Sequence, residues 1–340
     1  MMNILVIIPA RGGSKGIPRK NLRSLGGKPL LSYSIKTALA SVYHPDVYVS
    51  SDDDDIISCA KKFGAEVHKR PAALSTDEIT LDPVIYEAYL SIMNVTGKAY
   101  DLIVTLQPTS PMLKTASLDE AITMMVSSGH IDTIISAVND THLTWLKNNN
   151  EFKPNYQQRV NRQFLPQVFR ETGGFLITRN NVISQNSRIG KFISLYELSG
   201  AERIDIDHFE DWALCEFYLN RKKIAVIICK DFTKDTELMI FDFLNSVLLH
   251  DIQIFIDSGK KDIIDKIKNW NFAWYEVDTN DMSFLNSFFE FDIAVVFSKD
   301  TFNLPGLKLK KQFESDVSIY LSSHLNDLSN IEFLDLGIFR

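Results

Sequence analysis

The sequence lacks most features that mark secreted, membrane or cysteine-rich metal proteins. Its 340 residues include three cysteines, with no C-x-x-C spacing, so neither a disulfide framework nor a cysteine metal site is predicted. We expect Cys59, Cys215 and Cys229 to be small buried side chains in a reducing compartment. No run of apolar residues reaches the roughly 18 that a membrane-spanning helix needs. The chain opens on Met-Met-Asn without a basic region or cleavage site, which predicts a cytoplasmic protein.

The chain also lacks an excess of positive charge. Its 36 Lys and Arg residues stand against 43 Asp and Glu residues, a formal net charge of −7, which argues against general nucleic-acid binding. Hydrophobic residues make up 45% and charged residues 23% of the chain, as in ordinary globular proteins. At 340 residues the chain exceeds the usual size of a single hydrophobic core, so two domains are predicted.

Two common nucleotide-binding motifs are absent, yet the N-terminal region indicates a phosphate-binding loop. The glycines match neither G-x-x-x-x-G-K-[ST] nor G-x-G-x-x-G. They follow Ile4–Ile8, which reads as a buried first strand, and four cations within ten residues surround them. Glycines let backbone N–H groups turn toward a ligand, so the loop suits a polyphosphate; the alternative is a basic surface loop. Its residues are Arg11, Gly12, Gly13, Ser14, Lys15, Gly16, Arg19 and Lys20.

Strand-like and helix-like segments alternate over the first 140 residues, which predicts a mostly parallel α/β sheet. A first helix is expected to start within Lys28–Leu31, with Pro29 at an early helical position. The acidic run Asp52–Asp55 is expected to stabilise the N-terminus of a second helix, with metal binding as the alternative. Further strands are predicted at Val47–Val49, Leu102–Leu106, Thr133–Val138 and Phe175–Thr178.

The alternation stops near Asn139. Residues 139–172 carry few periodic apolar runs and many amides and arginines, which predicts a functional or subunit-contacting insertion. A polar hinge at residues 220–223 then precedes a second α/β rhythm, and about 120 residues suffice for a second, smaller domain. The domains are thus predicted as 1–220 and 221–340. The second should contain strands at Ile224–Cys229, Ile252–Ile256, Trp274–Val277, Ile293–Phe297 and Val317–Leu321, and helices near Glu237–Leu249, Lys261–Lys268 and Ser283–Phe289.

Two carboxylates near the end of the first domain form the second strong signal. The segment Arg203–Asp207 alternates polar and apolar residues, so Asp205 and Asp207 are expected on one face of a short strand. Such a pair can share a hard divalent cation such as Mg²⁺. The alternative is that Asp207 caps the helix that follows. A phosphate-binding loop in the same domain favours the metal, because Mg²⁺ commonly bridges carboxylates and substrate phosphates.

Several motifs, in order, resemble the acylneuraminate cytidylyltransferases, the synthetases of CMP-sialic acid and of related CMP-nonulosonic acids. The resemblance covers residues 3 to about 220, and its first and last motifs are the most specific. The motifs are Pro9-Ala10-Arg11-Gly12-Gly13-Ser14-Lys15-Gly16 with Lys20-Asn21, Arg70-Pro71, Leu106-Gln107-Pro108-Thr109-Ser110-Pro111 and Ile204-Asp205-Ile206-Asp207.

The resemblance implies a nucleotidyltransferase-type α/β fold, related to the GT-A and Rossmann-like folds. It also implies transfer of CMP from CTP to a 2-keto sugar acid with release of pyrophosphate, Mg²⁺ as cofactor, and a homodimer joined through the insertion. Motif by motif it implies nucleotide-binding roles for Arg11, Gly12, Gly13, Ser14, Lys15, Lys20, Asn21 and Arg70, sugar contacts by Gln107 and Arg170, and metal binding by Asp205 and Asp207, with Arg11, Lys20 and Asp207 central to catalysis. A surface charge paired with Glu171 is the alternative for Arg170.

Departures from the family pattern leave the sugar open. Synthetases of this family often carry a His-Pro-Leu-Lys-like stretch where this chain reads Thr141–Trp145, and a histidine where it reads Tyr86-Glu87. A legionaminic- or pseudaminic-type acid is therefore as compatible as sialic acid. A Kdo-type nucleotidyltransferase and a non-catalytic nucleotide-sugar-binding subunit are the alternative functions.

The second domain carries no motif that assigns an activity. Some relatives append a phosphatase with Asp-x-Asp-Gly after a strand, but the strand Ile224–Cys229 leads into Lys230–Asp235, which lacks that arrangement. A structural or oligomeric role is expected for residues 221–340, with a small-ligand site as the alternative.

Overall fold

The computed structural model divides the chain into two compact units, Met1–Leu219 and Asn220–Arg340. The first unit is described almost throughout, and the second in separate segments. The described residues are 2–13, 16–149, 151–220, 223–229, 239–244, 251–260, 262–263, 265, 273–280, 291–298, 304, 307–313 and 317–322.

The first unit is built on one seven-stranded sheet. One strand, Phe169–Arg179, runs antiparallel to both of its neighbours, and the other neighbouring pairs are parallel. The predicted mostly parallel α/β fold is therefore confirmed. In sheet order the strands are β11 (Ile193–Glu197), β7 (Thr133–Asn139), β10 (Phe169–Arg179), β6 (Leu102–Thr105), β1 (Ile4–Pro9), β4 (Asp46–Ser51) and β5 (Glu66–Lys69).

Helices cover both faces of this sheet. The alternating side chains of β1 explain why, because Val6 and Ile8 pack into the cluster with Ile35 while Leu5 and Ile7 pack into a second cluster on the other face. Burial on both faces is typical of the central strand of a parallel sheet. The helices are α1 (Leu31–Leu39), α2 (Asp54–Lys62), α3 (Leu81–Thr96), α4 (Thr115–Ser127) and α5 (Phe209–Asn220).

The start of α1 differs from the prediction. Lys28–Pro29 forms strand β3, which pairs with β2 (Ser24–Leu25), and the helix begins only at Leu31. Pro29 therefore lies before the helix. The residues expected in the first helical turn instead form the second strand of a short β-hairpin.

The acidic run performs the expected structural task. The Asp53 side chain accepts hydrogen bonds from the backbone N–H groups of Asp55 and Ile56 and so caps α2. Asp53 also pairs with Arg19 at 2.8 Å. The predicted stabilisation of this helix end is confirmed.

The insertion contains a two-stranded hairpin, β8 (Trp145–Asn148) with β9 (Glu151–Pro154). Every residue of both strands is solvent-exposed. Large apolar side chains are among them, with Trp145 at 52% and Phe152 at 65% exposure. A two-stranded hairpin has little stability by itself. Its exposed apolar side chains are therefore a candidate contact surface.

The second unit contains a six-stranded sheet in which the first four neighbouring strands are parallel. All five predicted strands are present, and one strand, Leu307–Phe313, was not predicted. In sheet order they are β14 (Ala273–Val277), β13 (Asp251–Asp257), β12 (Lys223–Ile228), β15 (Ile293–Phe297), β17 (Val317–Ser322) and β16 (Leu307–Phe313).

The helices predicted for this unit fall mostly outside the described residues. Within Glu237–Leu249, residues 239–244 are helical. Within Lys261–Lys268 only residues 262, 263 and 265 are described, and Ser283–Phe289 lies wholly outside. No helix in the described part of the chain has the length and hydropathy to cross a membrane.

Candidate active site

The predicted site residues gather at one edge of the first sheet, where the parallel strands end. Arg11 follows β1, Asp52 follows β4, Arg70 follows β5 and Gln107 follows β6. In open α/β sheets ligands bind at this carboxyl edge. Strand β10 runs the opposite way, so its first residues reach the same edge, beyond the pairing of Leu176 with Thr105.

The loop after β1 is held close to its neighbours by small residues. The Gly12 N–H donates to Asp52 Oδ1 at 3.1 Å, and a Cβ on Gly12 would lie 2.6 Å from Asp53 Oδ2. A Cβ on Gly16 would lie 2.6 Å from the Asp207 carbonyl oxygen, whereas one on Gly13 would meet no described residue beyond its chain neighbours within 4 Å. Gly16 therefore packs directly against the backbone of the carboxylate segment.

Not all of the loop is described, but its described cations, Arg11, Arg19 and Lys20, have partners within the protein. Ser14 and Lys15 lie outside the described residues. The Arg11 guanidinium pairs with Asp77 at 2.7 Å on the partly exposed surface. Asn21 is buried, and its side-chain N–H donates to the Arg11 carbonyl at 3.0 Å. Asn21 thus supports the loop backbone, and its expected contact with the nucleotide stays a prediction.

Lys20 joins this loop to the two carboxylates. Its Nζ donates to the Ile206 carbonyl at 2.6 Å and lies 3.9 Å from Asp207 Oδ1. Burial lowers the pKa of Lys20, while the nearby carboxylates, Asp207 first and then Asp205, act in the opposite direction. Lys20 therefore brings the cationic loop into contact with the carboxylate segment.

The segment with the two carboxylates is not a strand, contrary to the prediction. A 3-10 turn, Gly200–Arg203, precedes it, and the next residues lie outside the sheet. The Ile206 N–H donates to the Thr109 carbonyl at 2.8 Å, and the Ile206 carbonyl accepts from Lys20. Both backbone groups of Ile206 are therefore bonded to residues outside the sheet, so the segment does not pair as a strand despite its alternating pattern.

Asp205 and Asp207 occupy different environments. Asp205 Oδ2 accepts from the Gly173 N–H at 3.2 Å, while Asp205 Oδ1 is buried without a hydrogen-bond partner among the described residues. The Asp207 side chain is 71% exposed. Among the described residues no N–H group of α5 donates to the Asp207 side chain, and the N–H groups of Asp207 and His208 themselves donate to Asp211. The capping alternative for Asp207 is therefore wrong.

Gly173 on β10 brings further polar atoms to Asp205. A Cβ on Gly173 would lie 2.8 Å from Thr109 Oγ1, 3.1 Å from Ser110 Oγ and 3.2 Å from Asp205 Oδ1. Ser110 Oγ is also buried without a partner in the described part of the chain. Unsatisfied buried polar atoms are rare in native proteins. Two of them beside one glycine mark a place where a ligand or water can complete their hydrogen bonds.

Gln107 and Arg170 lie on elements that lead to the same edge. The Gln107 N–H donates to the Gly173 carbonyl at 3.0 Å. Arg170 lies three residues before Gly173 on β10, and its guanidinium is half exposed and 3.4 Å from Asp140. The alternative pairing of Arg170 with Glu171 is not the one the structure contains.

Arg70 is the buried cation of the site, at 5% exposure. Its Nη2 donates to the Ser50 carbonyl at 2.7 Å and its Nε to Ser50 Oγ at 3.3 Å. Burial, the largest influence, lowers the pKa of Arg70 to about 10; Asp52 opposes this and Arg11 adds to it. The arginine still carries its charge at neutral pH.

The model of the cytidylyltransferase family matches residues 5–238, which include all of the residues above. The chain belongs to the cytidylyltransferase family. The resemblance stated from the sequence motifs is thereby confirmed. Residues 239–340 lie beyond the match.

Two curated relatives are 31% and 44% identical to this chain in the regions that they match. N-acylneuraminate cytidylyltransferase A of Danio rerio is 31% identical over 221 residues, which are 63% of this chain and 50% of that protein. Pseudaminic acid cytidylyltransferase of Campylobacter jejuni subsp. jejuni is 44% identical over 121 residues, 35% of this chain and 52% of that protein. The chain thus spans about half the length of these curated relatives.

Among solved structures, CMP:2-keto-3-deoxy-manno-octonic acid synthetase complexed with CTP is similar at 15% identity and a TM-score of 0.49. The similarity covers 64% of this chain and 98% of that one.

Sequence reasoning missed the residues that support the site. Asp211 accepts the N–H groups of Asp207 and His208, and Gly173 admits the polar atoms around Asp205. Thr109 and Ser110 are part of a recognised motif, yet no role was derived for them. The antiparallel entry of β10 at this edge brings Gly173 to Thr109, Ser110 and Asp205, and that depends on the sheet order.

Proposed function

We propose that this cytidylyltransferase uses CTP to activate a nonulosonic, sialic-acid-like 2-keto sugar acid, forming the CMP-sugar and pyrophosphate. The observation that carries the proposal is the contact of Lys20, at the end of the glycine-rich cationic loop, with the Asp205–Asp207 segment. Relatives named for N-acylneuraminate and pseudaminic acid support the substrate class. A reaction that consumes CTP also agrees with the cytoplasmic location predicted from the sequence.

In the proposed reaction the anomeric hydroxyl oxygen of the sugar acid attacks the α-phosphorus of CTP. The bond from the α-phosphorus to the bridging oxygen breaks, pyrophosphate leaves with the electron pair, and the hydroxyl proton passes to a base or to solvent. Catalysis of such a transfer is mainly positioning and charge stabilisation. Arg11 and Lys20 would hold the triphosphate, and the backbone N–H groups of the glycine loop would approach it closely.

The two carboxylates fit a magnesium ion. Asp205 Oδ1 is buried without a partner among the described residues, and Asp207 is exposed beside Lys20. No group of three or more His, Cys, Asp or Glu side chains suited to a metal occurs in the described part of the chain, but Mg²⁺ usually takes only one or two carboxylates and completes its shell with phosphate oxygens and water. We propose that Asp205 and Asp207 hold the ion. When bound, it would neutralise charge that develops on the phosphoryl oxygens.

The sugar acid is proposed to bind between Gln107 and Arg170. A guanidinium can bind a carboxylate through two parallel hydrogen bonds. Arg170 is half exposed, and its Nε lies 3.4 Å from Asp140 Oδ2. The substrate carboxylate would take the place of Asp140 at this guanidinium.

We also propose that the cytidylyltransferase is a homodimer joined through residues 139–172. The support is the hairpin β8–β9, whose Trp145, Leu146 and Phe152 are each more than half exposed. Apolar side chains clustered on one exposed element are typical of an interaction surface.

Pyrophosphate release tests the proposed function directly. The full chain is incubated with Mg²⁺, CTP and a panel of N-acetylneuraminic, legionaminic, pseudaminic and Kdo-type acids, with ATP, GTP and UTP as controls. Release with CTP and one nonulosonic acid is expected. Release with the Kdo-type acid alone would reassign the substrate, and CTP binding without release from any acid would favour a non-catalytic binding subunit.

A further inference from the structure

A chain of polar side chains runs from helix α3 to the buried arginine of the site. Arg70 Nε donates to Ser50 Oγ at 3.3 Å, and Ser50 Oγ lies 3.1 Å from His68 Nδ1. His68 Nε2 in turn lies 3.3 Å from Glu87 Oε2. Ser50 lies in β4, His68 in β5 and Glu87 in α3, and Arg70 directly follows β5. Neither the motifs nor the proposed reaction assigns a role to Ser50, His68 or Glu87.

The inner members of this chain are shielded from water. Ser50 is 0%, Arg70 5% and His68 7% exposed. Buried polar side chains are costly unless they are hydrogen-bonded, and satisfied networks make a core rigid. The arrangement therefore fixes the guanidinium of Arg70 far more tightly than an exposed arginine, such as Arg170, is fixed.

The direction of the hydrogen bonds follows from the chemistry of the members. The Arg70 guanidinium can only donate, so Ser50 Oγ accepts from it and has its own hydrogen to give to His68 Nδ1. An accepting Nδ1 leaves the imidazole proton on Nε2. Nε2 faces Glu87 Oε2, a buried oxygen that makes no well-formed hydrogen bond among the described residues. A carboxylate there selects the tautomer with the proton on Nε2.

The charge state of His68 agrees with this direction. Burial lowers the pKa of His68, and Arg70 acts in the same sense, while Glu87 opposes both. A neutral imidazole is the form that can accept from Ser50 and face Glu87 at once.

We infer that Glu87, His68 and Ser50 are positioning residues that hold the Arg70 guanidinium in place for the nucleotide. The inference rests on the proposed function, in which Arg70 lies on the CTP side. Holding a binding group in advance lowers the entropy lost when the substrate binds. Loss of these hydrogen bonds should therefore raise the KM for CTP and leave the KM for the sugar acid unchanged.

Steady-state kinetics of four variants of the full chain test this inference. His68→Leu removes both contacts of the imidazole, Glu87→Gln removes the negative charge, and His68→Asn keeps an acceptor near the position of Nδ1. Glu66→Gln, an exposed carboxylate at the start of β5, is the matched control. Mutation of residues that orient metal-binding side chains typically lowers affinity or activity about 10–100-fold. We expect an effect of similar size for residues that orient Arg70.

The expected pattern is specific. His68→Leu should raise the KM for CTP about tenfold or more with the KM for the sugar acid unchanged, His68→Asn should restore most of the loss, and Glu66→Gln should match the wild type. The ¹⁵N shifts of the His68 ring should report the Nε2–H tautomer in the wild type and a mixture in Glu87→Gln. Thermal unfolding checks that each variant folds, and His68→Asn with Glu87→Gln decides the matter where His68→Leu does not fold.

Two results would overturn the inference in distinguishable ways. An active wild type with an unchanged KM for CTP in the Glu87 and His68 variants, or equal loss in His68→Asn and His68→Leu, refutes the positioning chain alone. A wild type that neither binds CTP nor releases pyrophosphate refutes the proposed function, and the inference falls with it.

Discussion

At the residue scale, the site depends on close approaches that only glycine permits. Gly16 packs against the Asp207 backbone and Gly12 against the Asp53 side chain, whereas a Cβ added to Gly13 would contact none of the described residues beyond its chain neighbours. The three glycines look equivalent in the sequence. The structure separates those that are needed for packing from one whose only proposed role is to admit a phosphate.

A first prediction follows for these glycines. Gly16→Ala would place its Cβ 2.6 Å from a backbone oxygen, so the loop must shift and the melting temperature should fall. Gly13→Ala should leave the melting temperature unchanged, because no atom of the described residues beyond its chain neighbours lies within 4 Å of the added Cβ. Thermal unfolding of both variants checks this. If Gly13→Ala nevertheless raises the KM for CTP, the phosphates approach the backbone at that residue; equal melting temperatures for the two variants would contradict the packing argument.

The carboxylate pair gives the second prediction. Asp207→Asn should reduce turnover about 10²–10³-fold, the usual cost of losing one electrostatic stabiliser, with the fold intact because Asp207 is exposed and caps no helix. Glu210→Gln, also exposed and three residues further along, is the matched control and should stay active. Pyrophosphate release with and without a chelator measures both. Full activity of Asp207→Asn in excess chelator would refute the metal assignment.

Lys20 gives a pH prediction. Burial lowers the pKa of Lys20 from its ordinary value, so its positive charge is complete at low pH and is lost at a lower pH than that of an exposed lysine. The kcat/KM for CTP, which reports groups of the free enzyme, should therefore decline on the alkaline side before ordinary lysines titrate. In Lys20→Arg this decline should move to higher pH, since arginine keeps its charge. An identical alkaline decline in both proteins would show that another group is responsible.

At the scale of elements, hydrophobic periodicity correctly predicted the buried strands but failed for a segment whose backbone groups bond to loops. The strand β1 and the five predicted strands of the second unit are present because apolar runs of this kind are buried in a sheet. Arg203–Asp207 has the same alternation, but its backbone groups bond to Lys20 and Thr109, and no sequence pattern specifies such partners. β16 was missed because its lysine-rich sequence, Leu307–Phe313, does not read as a buried run.

The hairpin β8–β9 carries the prediction that belongs to this scale. Trp145→Ser combined with Leu146→Ser should convert the proposed homodimer to a monomer, because these side chains are more than half exposed within the single chain. Light scattering measures the mass. Val95→Ser, which removes an exposed apolar side chain on α3 (83% exposed), is the control and should leave the mass unchanged. A wild type that is already monomeric, or a double variant that remains dimeric, would rule out this hairpin as the interface.

For the whole molecule, the first unit contains every residue to which a role in the reaction is assigned. It ends at Leu219, while the family match continues to residue 238, into the second unit. Helix α5 closes the first unit, since Trp212 and Cys215 pack in one cluster with Ile17 and Leu25. The same cluster holds Ile206, between the two carboxylates.

We therefore predict that a chain truncated after residue 220 is soluble, dimeric and active on CTP and its sugar acid. Removal of the second unit should leave kcat within a few-fold of the full chain, because α5 anchors the carboxylate segment from within the first unit. Phe209 and Phe217 are 51% and 41% exposed on this helix, so a chain ending at residue 238, where the family match stops, is the comparison. If only the longer chain is active, residues 221–238 belong to the catalytic domain and the boundary at 220 is wrong. A soluble but monomeric and inactive short chain would instead assign dimer formation to the second unit rather than to the hairpin.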